Sequence, residues 1–204
     1  MTEVIKEFAR IPATAVSDAL NGLTNMEQSI KPLKRDTHTA GRAYTVKLRA
    51  ADNKLVMKGI KEAQEGDILV IDAKGYMENA SCGDFVIGVA KTMGLRGVVI
   101  DGAVRDMNGI LDLDFPVFCK GTTAAASDKH GSGETGIPIS CGSTVVRTGD
   151  IIVGDIDGVV VVPQEKAQDI LDKSKEKIIK DEEREEKVLK SRESALEYIN
   201  KQLS

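Results

Sequence analysis

The chain has no tryptophan, and aromatic residues make up only 3% of its 204 positions. Bases of a single strand have few rings to stack on, and the core must be built from Val, Ile, Leu, Ala and Met. Charge of one sign is also missing: Lys and Arg number 28 against 32 Asp and Glu, a net charge of −4. That balance supplies no basic field for nucleic acid. The three cysteines, Cys82, Cys119 and Cys141, are an odd number without a C-x-x-C pair. They argue against a disulfide framework and a structural zinc site, and they fit small buried residues in a reducing cytoplasm. His38 and His130 have no ligand-spaced partner, so both read as surface or loop histidines. Apolar runs such as Val159 to Val162 are far too short to span a bilayer. The first residues, Met1 to Lys6, carry no signal-peptide apolar stretch. A cytoplasmic protein without membrane or nucleic-acid partners is expected.

The length suits one α/β domain, residues 1–163, followed by a charged helical arm at 164–204. Helices are expected over 3–9 and 13–21, with Asn21-Gly22 as a stop, and a polar connector over 25–39. Gly41 to Leu48 alternates as a strand, and a helix follows from Asp52-Asn53 to about Ala63. Gly66-Asp67-Ile68 opens a buried strand, and Gly149-Asp150-Ile151 repeats the pattern. Asp157-Gly158, between apolar runs, signals a hairpin, and 121–136 reads as a long loop. The arm has a thin apolar stripe (Ile170, Leu171, Ile178, Ile179, Val188, Leu189, Leu196 and Ile199). It is either solvent-exposed or packed along a neighbouring subunit.

Two stretches carry chemistry. Val98-Val99-Ile100 reads as a buried strand that breaks at Asp101-Gly102 and delivers Arg105 and Asp106 side by side. α/β proteins place ligands at such strand ends, although a surface ion pair is the competing reading. The second stretch, Asn79 to Asp84, reads as a loop ahead of an apolar helix running from Gly83 to Met93. Free amides at that helix start suit a carboxylate, and Gly83 lets backbone approach a ligand, while Asp84 alone also suits a helix cap. One helix and one strand separate Asp84 from Arg105, so both can reach the same sheet edge. Two carboxylates with open positions suit a hard divalent cation, and an Arg fork suits a substrate carboxylate. Together they describe a site for a small 2-oxo acid.

Asp84, twenty intervening residues and then Arg105-Asp106 resembles the signature of the class II pyruvate aldolases acting on 4-hydroxy-4-methyl-2-oxoglutarate and 4-carboxy-4-hydroxy-2-oxoadipate. Thr14 to Leu20, Gly41 to Lys47, Gly83-Asp84, Arg96 to Asp106, Pro116 to Gly121 and Gly149 to Pro163 follow in family order. The superfamily also contains the protein regulator of ribonuclease E activity. The resemblance implies a swivelling β/β/α-type domain, assembled as a homotrimer or hexamer with sites between subunits. It implies that Asp106 binds a divalent metal (Mg²⁺ or Mn²⁺) directly and that Asp84 holds a metal-bound water. Arg105 would contact the pyruvyl oxygens and stabilise the enolate. Amides of Gly83, Asp84, Phe85 and Val86 would bind the carboxylate. A neighbour's arm would add an acidic residue, for which Glu182 is preferred over Glu183, Glu185 and Glu186. The implied reaction splits a 4-hydroxy-2-oxo acid to pyruvate and a second carbonyl compound, with oxaloacetate decarboxylation as a side activity. The alternative is a non-catalytic, ribonuclease E regulator-like binding protein, a branch that typically lacks the Asp after the Arg. Lys120 is a candidate for a distal substrate carboxylate, Asp52-Asn53 resembles a family loop near the site, and Asp101 is expected to brace its own turn.

Overall fold

The computed structural model describes residues 2–204. Helices α1 (Thr2–Phe8) and α2 (Ala13–Ala19) come first. Gly22 ends the second, its N–H donating to Ser17 O at 2.9 Å from the left-handed region (φ +70°). The start of α2 takes its cap from far along the chain: the Ala13 N–H donates to the Asp155 carboxylate at 2.8 Å. The connector contains a two-residue strand, β1 (Lys31–Pro32).

Three crossovers then build the centre: β2 (Thr39–Leu48), α3 (Lys54–Glu62), β3 (Asp67–Cys82), α4 (Asp84–Thr92), β4 (Gly97–Val104), α5 (Met107–Asp112) and β5 (Val117–Thr122). Strands β2 to β5 lie parallel in sequence order. All three helices therefore fall on one face, as crossovers of constant hand require. Short β6 (Gly133–Thr135), within the expected 121–136 loop, pairs antiparallel with the end of β2. A separate hairpin, β7 (Ile139–Cys141) and β8 (Thr144–Val146), precedes β9 (Ile151–Asp155) and β10 (Gly158–Val162), which continue the main sheet antiparallel beyond β2. A 3-10 turn at Gln164–Lys166 leads into α6 (Ala167–Val188) and α7 (Arg192–Leu203).

The repeated Gly-Asp-Ile pattern is one turn used twice. Asp67 accepts the N–H of Gln64 at 2.9 Å, and Asp150 accepts that of Arg147 at 2.8 Å. Gly66 (φ +86°) and Gly149 (φ +103°) occupy backbone that disfavours other residues. Each turn feeds a fully buried run, Ile68 to Ile71 or Ile151 to Val153.

Alternate residues supply both faces of the sheet. Leu69, Ile71, Val98, Ile100 and Val104 pack under α3 to α5 with Val56, Ile60 and Ile87. Toward the other end of that face, Ile151, Val153, Val160 and Val162 meet Phe8, Val16, Ile170 and Leu171 from α1, α2 and α6. The opposite face packs Val70, Val99, Phe118 and Ile152 against Ile139, Cys141 and Val146 of the small hairpin. The first turns of α6 are thus core, whereas Ile179, Leu189, Leu196, Ile199 and Leu203 farther along the arm are exposed. No helix among the described residues is long and apolar enough to cross a membrane.

Three expectations need correction. The strand carrying Val98 to Ile100 does not break at Asp101-Gly102 but continues, buried throughout, to Val104. Asn79 to Cys82 is not a loop but the end of β3, a sixteen-residue strand. That strand bulges out of register between Asp72 and Cys82, with Lys74 and Gly75 left-handed, then pairs again with β4 at Ala80 and Cys82. The β9–β10 turn is Ile156-Asp157, one residue earlier than the Asp157-Gly158 pair indicates, because Gly158 already pairs with Asp155.

Candidate functional site

The realigned ends of β3 and β4 position the site. Cys82 pairs with Val104, and the Arg105 N–H donates to Cys82 O at 3.0 Å. Gly83-Asp84 and Arg105-Asp106 therefore leave adjacent parallel strands at the same, C-terminal edge. Each pair then enters a helix. Gly83 is the N-cap of α4, and Asp106 is the N-cap of α5.

Asp106 is left-handed (φ +60°, ψ +42°), a conformation uncommon outside glycine but enriched in Asp and Asn. The twist turns its carboxylate back over Gly83, where an added Cβ would overlap Oδ2. Gly83 has extended backbone (φ −119°, ψ −178°), so its need for glycine there is one of space, not of angle. The sequence points Gly83 toward ligand approach; the structure uses its open side to seat Asp106. Arg105 Nε stands 3.3 Å from Asp106 Oδ2, with the side chains 42% and 45% exposed. This contact takes one edge of the fork and leaves the terminal guanidinium nitrogens for a ligand.

Asp84 begins α4, and its Oδ1 accepts the Phe85 N–H at 2.6 Å. The first helical bond is Ile87 N–H to Gly83 O, at 3.1 Å, so the amides of Asp84, Phe85 and Val86 precede the helical ladder. One of the expected carboxylate-binding amides, that of Phe85, is thus already engaged by Asp84. The Phe85 ring is 75% exposed beside the site, and Val86 packs against the core.

The other sequence candidates fall into different roles. Lys120 is not free for a distal carboxylate: its Nζ lies 2.7 Å from Asp101 and 2.9 Å from Glu27, in a side chain only 17% exposed. Asp101 does not brace its own turn; it sits mid-strand and accepts the Gly142 N–H at 2.9 Å, tying the small hairpin to the sheet. Asp52 is a buried clamp whose carboxylate accepts N–H groups of Gly131 (2.7 Å), Ser132 (3.0 Å) and Lys54 (3.0 Å). Burial pushes its carboxyl up, and the three amides outweigh that and hold it below the usual range. Asn53 is the N-cap of α3 without a side-chain cap bond. His38 bonds Ile11 O at 3.1 Å, and His130 is exposed beside Asp128. All three cysteines are buried free thiols, with burial pushing Cys82 up to about 12 and Cys119 up to about 11. Glu182 is exposed on α6, which packs on α1 and α2 at the far end of the helical face. Sequence reasoning misses Gly109, a glycine inside α5; its only signal there is an unexplained helix-interior glycine three residues after Asp106.

The donor set fits a hard divalent cation. Asp106 offers a carboxylate on a half-exposed side chain, and Asp84 follows the neighbouring strand end, its own carboxylate lying against Gly109 and the Phe85 N–H. Mg²⁺ or Mn²⁺ bound by one or two carboxylates retains several waters, so a three-residue protein cage is not required. None exists among the described residues.

The Glu27–Lys120–Asp101 cluster makes a pH prediction. The Ser143 hydroxyl, then the Lys120 ammonium, holds the Glu27 carboxyl at about 2 rather than 4.5. Between those values the unfolded chain binds more protons than the folded one, so stability rises with pH. Glu27's contribution is complete above pH 4.5 and is lost as pH falls toward 2. Thermal melts should show wild type more stable than Glu27→Gln at neutral pH, with the two converging across that window. A constant offset would refute the linkage.

The Aldolase/RraA family model, described as RraA-like, matches residues 13–161. The chain belongs to this family. A Halalkalibacterium halodurans protein named "Putative 4-hydroxy-4-methyl-2-oxoglutarate aldolase" is 46% identical, over 98% of this chain and 96% of its own. Among solved structures, the Streptomyces coelicolor RraAS2, an RNase ES inhibitor family member, superposes with a TM-score of 0.79 at 27% identity. It covers 88% of this chain and 95% of that one. The RNA-processing inhibitor RraA of Thermus thermophilis gives 0.69 at 28% identity, over 75% and 93% of the two chains. The family's mixed α/β domain with a large sheet and C-terminal helices is the architecture described above.

Proposed function

We propose that this chain is a divalent-metal-dependent aldolase that cleaves a 4-hydroxy-2-oxo acid, of the 4-hydroxy-4-methyl-2-oxoglutarate kind, to pyruvate and a second carbonyl compound. The carrying observation is the meeting of Arg105-Asp106 with Gly83-Asp84 at one strand edge, with the Asp106 carboxylate held over Gly83. When bound, Mg²⁺ or Mn²⁺ supplies a Lewis acid for the 2-oxo group. Arg105 presents a planar fork to the pyruvyl oxygens and opposes the negative charge that grows there as the carbon–carbon bond breaks. The Asp84 and Val86 amides, at the positive end of α4, hold the substrate carboxylate. In this reading Asp84 holds a water and moves a proton at the site. Oxaloacetate decarboxylation draws on the same stabilisation. The family resemblance implies a homotrimer or hexamer in which a neighbour's arm brings Glu182 to the site, and the exposed apolar side chains of α6–α7 are available for a contact between subunits. Three buried free thiols suit a reducing cytoplasm.

The likeness to RraA structures favours a second reading, a non-catalytic oligomer that binds a ribonuclease assembly; Asp106 argues against it. A coupled pyruvate-release assay decides, using 4-hydroxy-2-oxo acids and oxaloacetate with Mg²⁺, Mn²⁺ and EDTA arms. Metal-dependent, EDTA-sensitive release is expected. Its absence with every substrate, together with capture of a ribonuclease from lysate, would overturn the aldolase assignment.

A further inference from the structure

We infer that Gly109 is a positioning residue for Asp84, an assignment that rests on the aldolase reading of the site. Helices α4 and α5 face each other through two rungs, each pairing a side chain with a glycine. At one, Gly88 of α4 meets Leu113 at the end of α5; at the other, Gly109 of α5 meets Asp84 of α4. Positions 84 and 88, like 109 and 113, are four apart and share a helix face.

The two rungs differ in how much room they leave. A Cβ built on Gly88 would stand 3.8 Å and 3.9 Å from the Leu113 methyls, in ordinary contact. A Cβ built on Gly109 would stand 2.8 Å from Asp84 Cβ and 3.0 Å from its Cγ, and closer still to Oδ2. The Asp84 side chain fills the space that a Cβ on Gly109 would take. Its Oδ1 is also tied to the Phe85 N–H, so the carboxylate cannot swing aside without losing a bond. The obstruction reaches Asp84 Cβ, so turning the carboxylate alone does not relieve it and α4 and α5 must shift relative to each other.

Gly109 also sits where alanine is the better helix former, and it has no positive φ to justify it. The helix gives up propensity there, and the seat for Asp84 accounts for the loss. Gly109 touches no substrate in this reading; it acts by setting where the Asp84 carboxylate stands relative to Asp106.

The test is a double-mutant cycle in the full-length chain with Gly109→Ala, Asp84→Ala and the double variant, and Gly88→Ala as a control. Thermal midpoint, kcat and KM for metal-dependent pyruvate release are measured for each. Gly109→Ala should lower kcat by about 100-fold, the effect of a displacement of roughly 1 Å, with much less change in KM. It should lower the midpoint in wild type yet raise it by a few degrees in the Asp84→Ala background, where the obstruction is gone and helix propensity remains. Gly88→Ala should keep wild-type kcat and a midpoint at or above wild type. The assignment is overturned if Gly109→Ala keeps wild-type kcat. It is also overturned if Gly109→Ala shifts the midpoint equally in both backgrounds, which would mean general packing of α5. The sign reversal of the midpoint needs no activity, so a protein that released no pyruvate would refute the aldolase reading while the contact was still tested.

Discussion

Asp106→Asn is expected to abolish metal-dependent turnover, lowering kcat/KM by roughly 10³-fold or more, about 4 kcal/mol of transition-state stabilisation. The substitution separates two properties that this residue combines. Its backbone is left-handed, a state that costs most L-residues about 1–2 kcal/mol and that Asn adopts at least as readily as Asp. The Asp106→Asn variant should therefore keep the start of α5 and the seat over Gly83. What it loses is the charge that makes a carboxylate a ligand for a hard cation. Binding of Mn²⁺ by titration calorimetry should fall with turnover, while the thermal midpoint stays near wild type. Asp106→Ala should lose both metal binding and some stability. Wild-type Mn²⁺ affinity in the Asp106→Asn variant would remove Asp106 from the metal site.

Arg105→Lys should reduce kcat/KM by about 100-fold or more and leave Mn²⁺ affinity largely intact. Arg105 uses Nε toward Asp106, 3.3 Å away, so the terminal nitrogens can grip a ligand without breaking that contact. A lysine ammonium is a point charge and must choose between the Asp106 carboxylate and the substrate oxygens. The loss should fall in kcat as well as KM, because the charge that Arg105 opposes is greatest in the transition state. Near-normal kinetics in the Lys variant would sink the role assigned to Arg105. With Asp106→Asn, the pair gives a two-way separation: one variant loses metal, the other keeps metal and loses turnover.

Much of the frame was legible because its signals are local. Alternation in Gly41 to Leu48 and the twin Gly-Asp-Ile turns depend on neighbouring residues, and each became the element expected. So did the shared edge from which Gly83-Asp84 and Arg105-Asp106 leave, since helix-strand units of ordinary length return the chain to the same side of the sheet. The errors arose where distant segments compete. Asp101-Gly102 reads as a break until the Gly142 N–H bonds, and the Lys120 ammonium opposes, a carboxylate held inside a strand. Asn79 to Cys82 reads as a loop because the bulge in β3 hides the resumed pairing with β4. Lys120 reads as a free cation because its two acidic partners lie 19 and 93 positions away.

The sequence by itself determined which side chains are available to this site and their order along the chain: a glycine and a carboxylate at a helix start, and an arginine and a carboxylate after a buried strand. It also determined most of the strands and helices of the centre, because hydrophobic periodicity and turn chemistry are written in consecutive residues; their parallel order is set by pairing between strands. Only the tertiary structure decided where each carboxylate points. The left-handed turn of Asp106 over Gly83, and the seat of Asp84 on Gly109, depend on close approach between elements whose spacing no local pattern encodes.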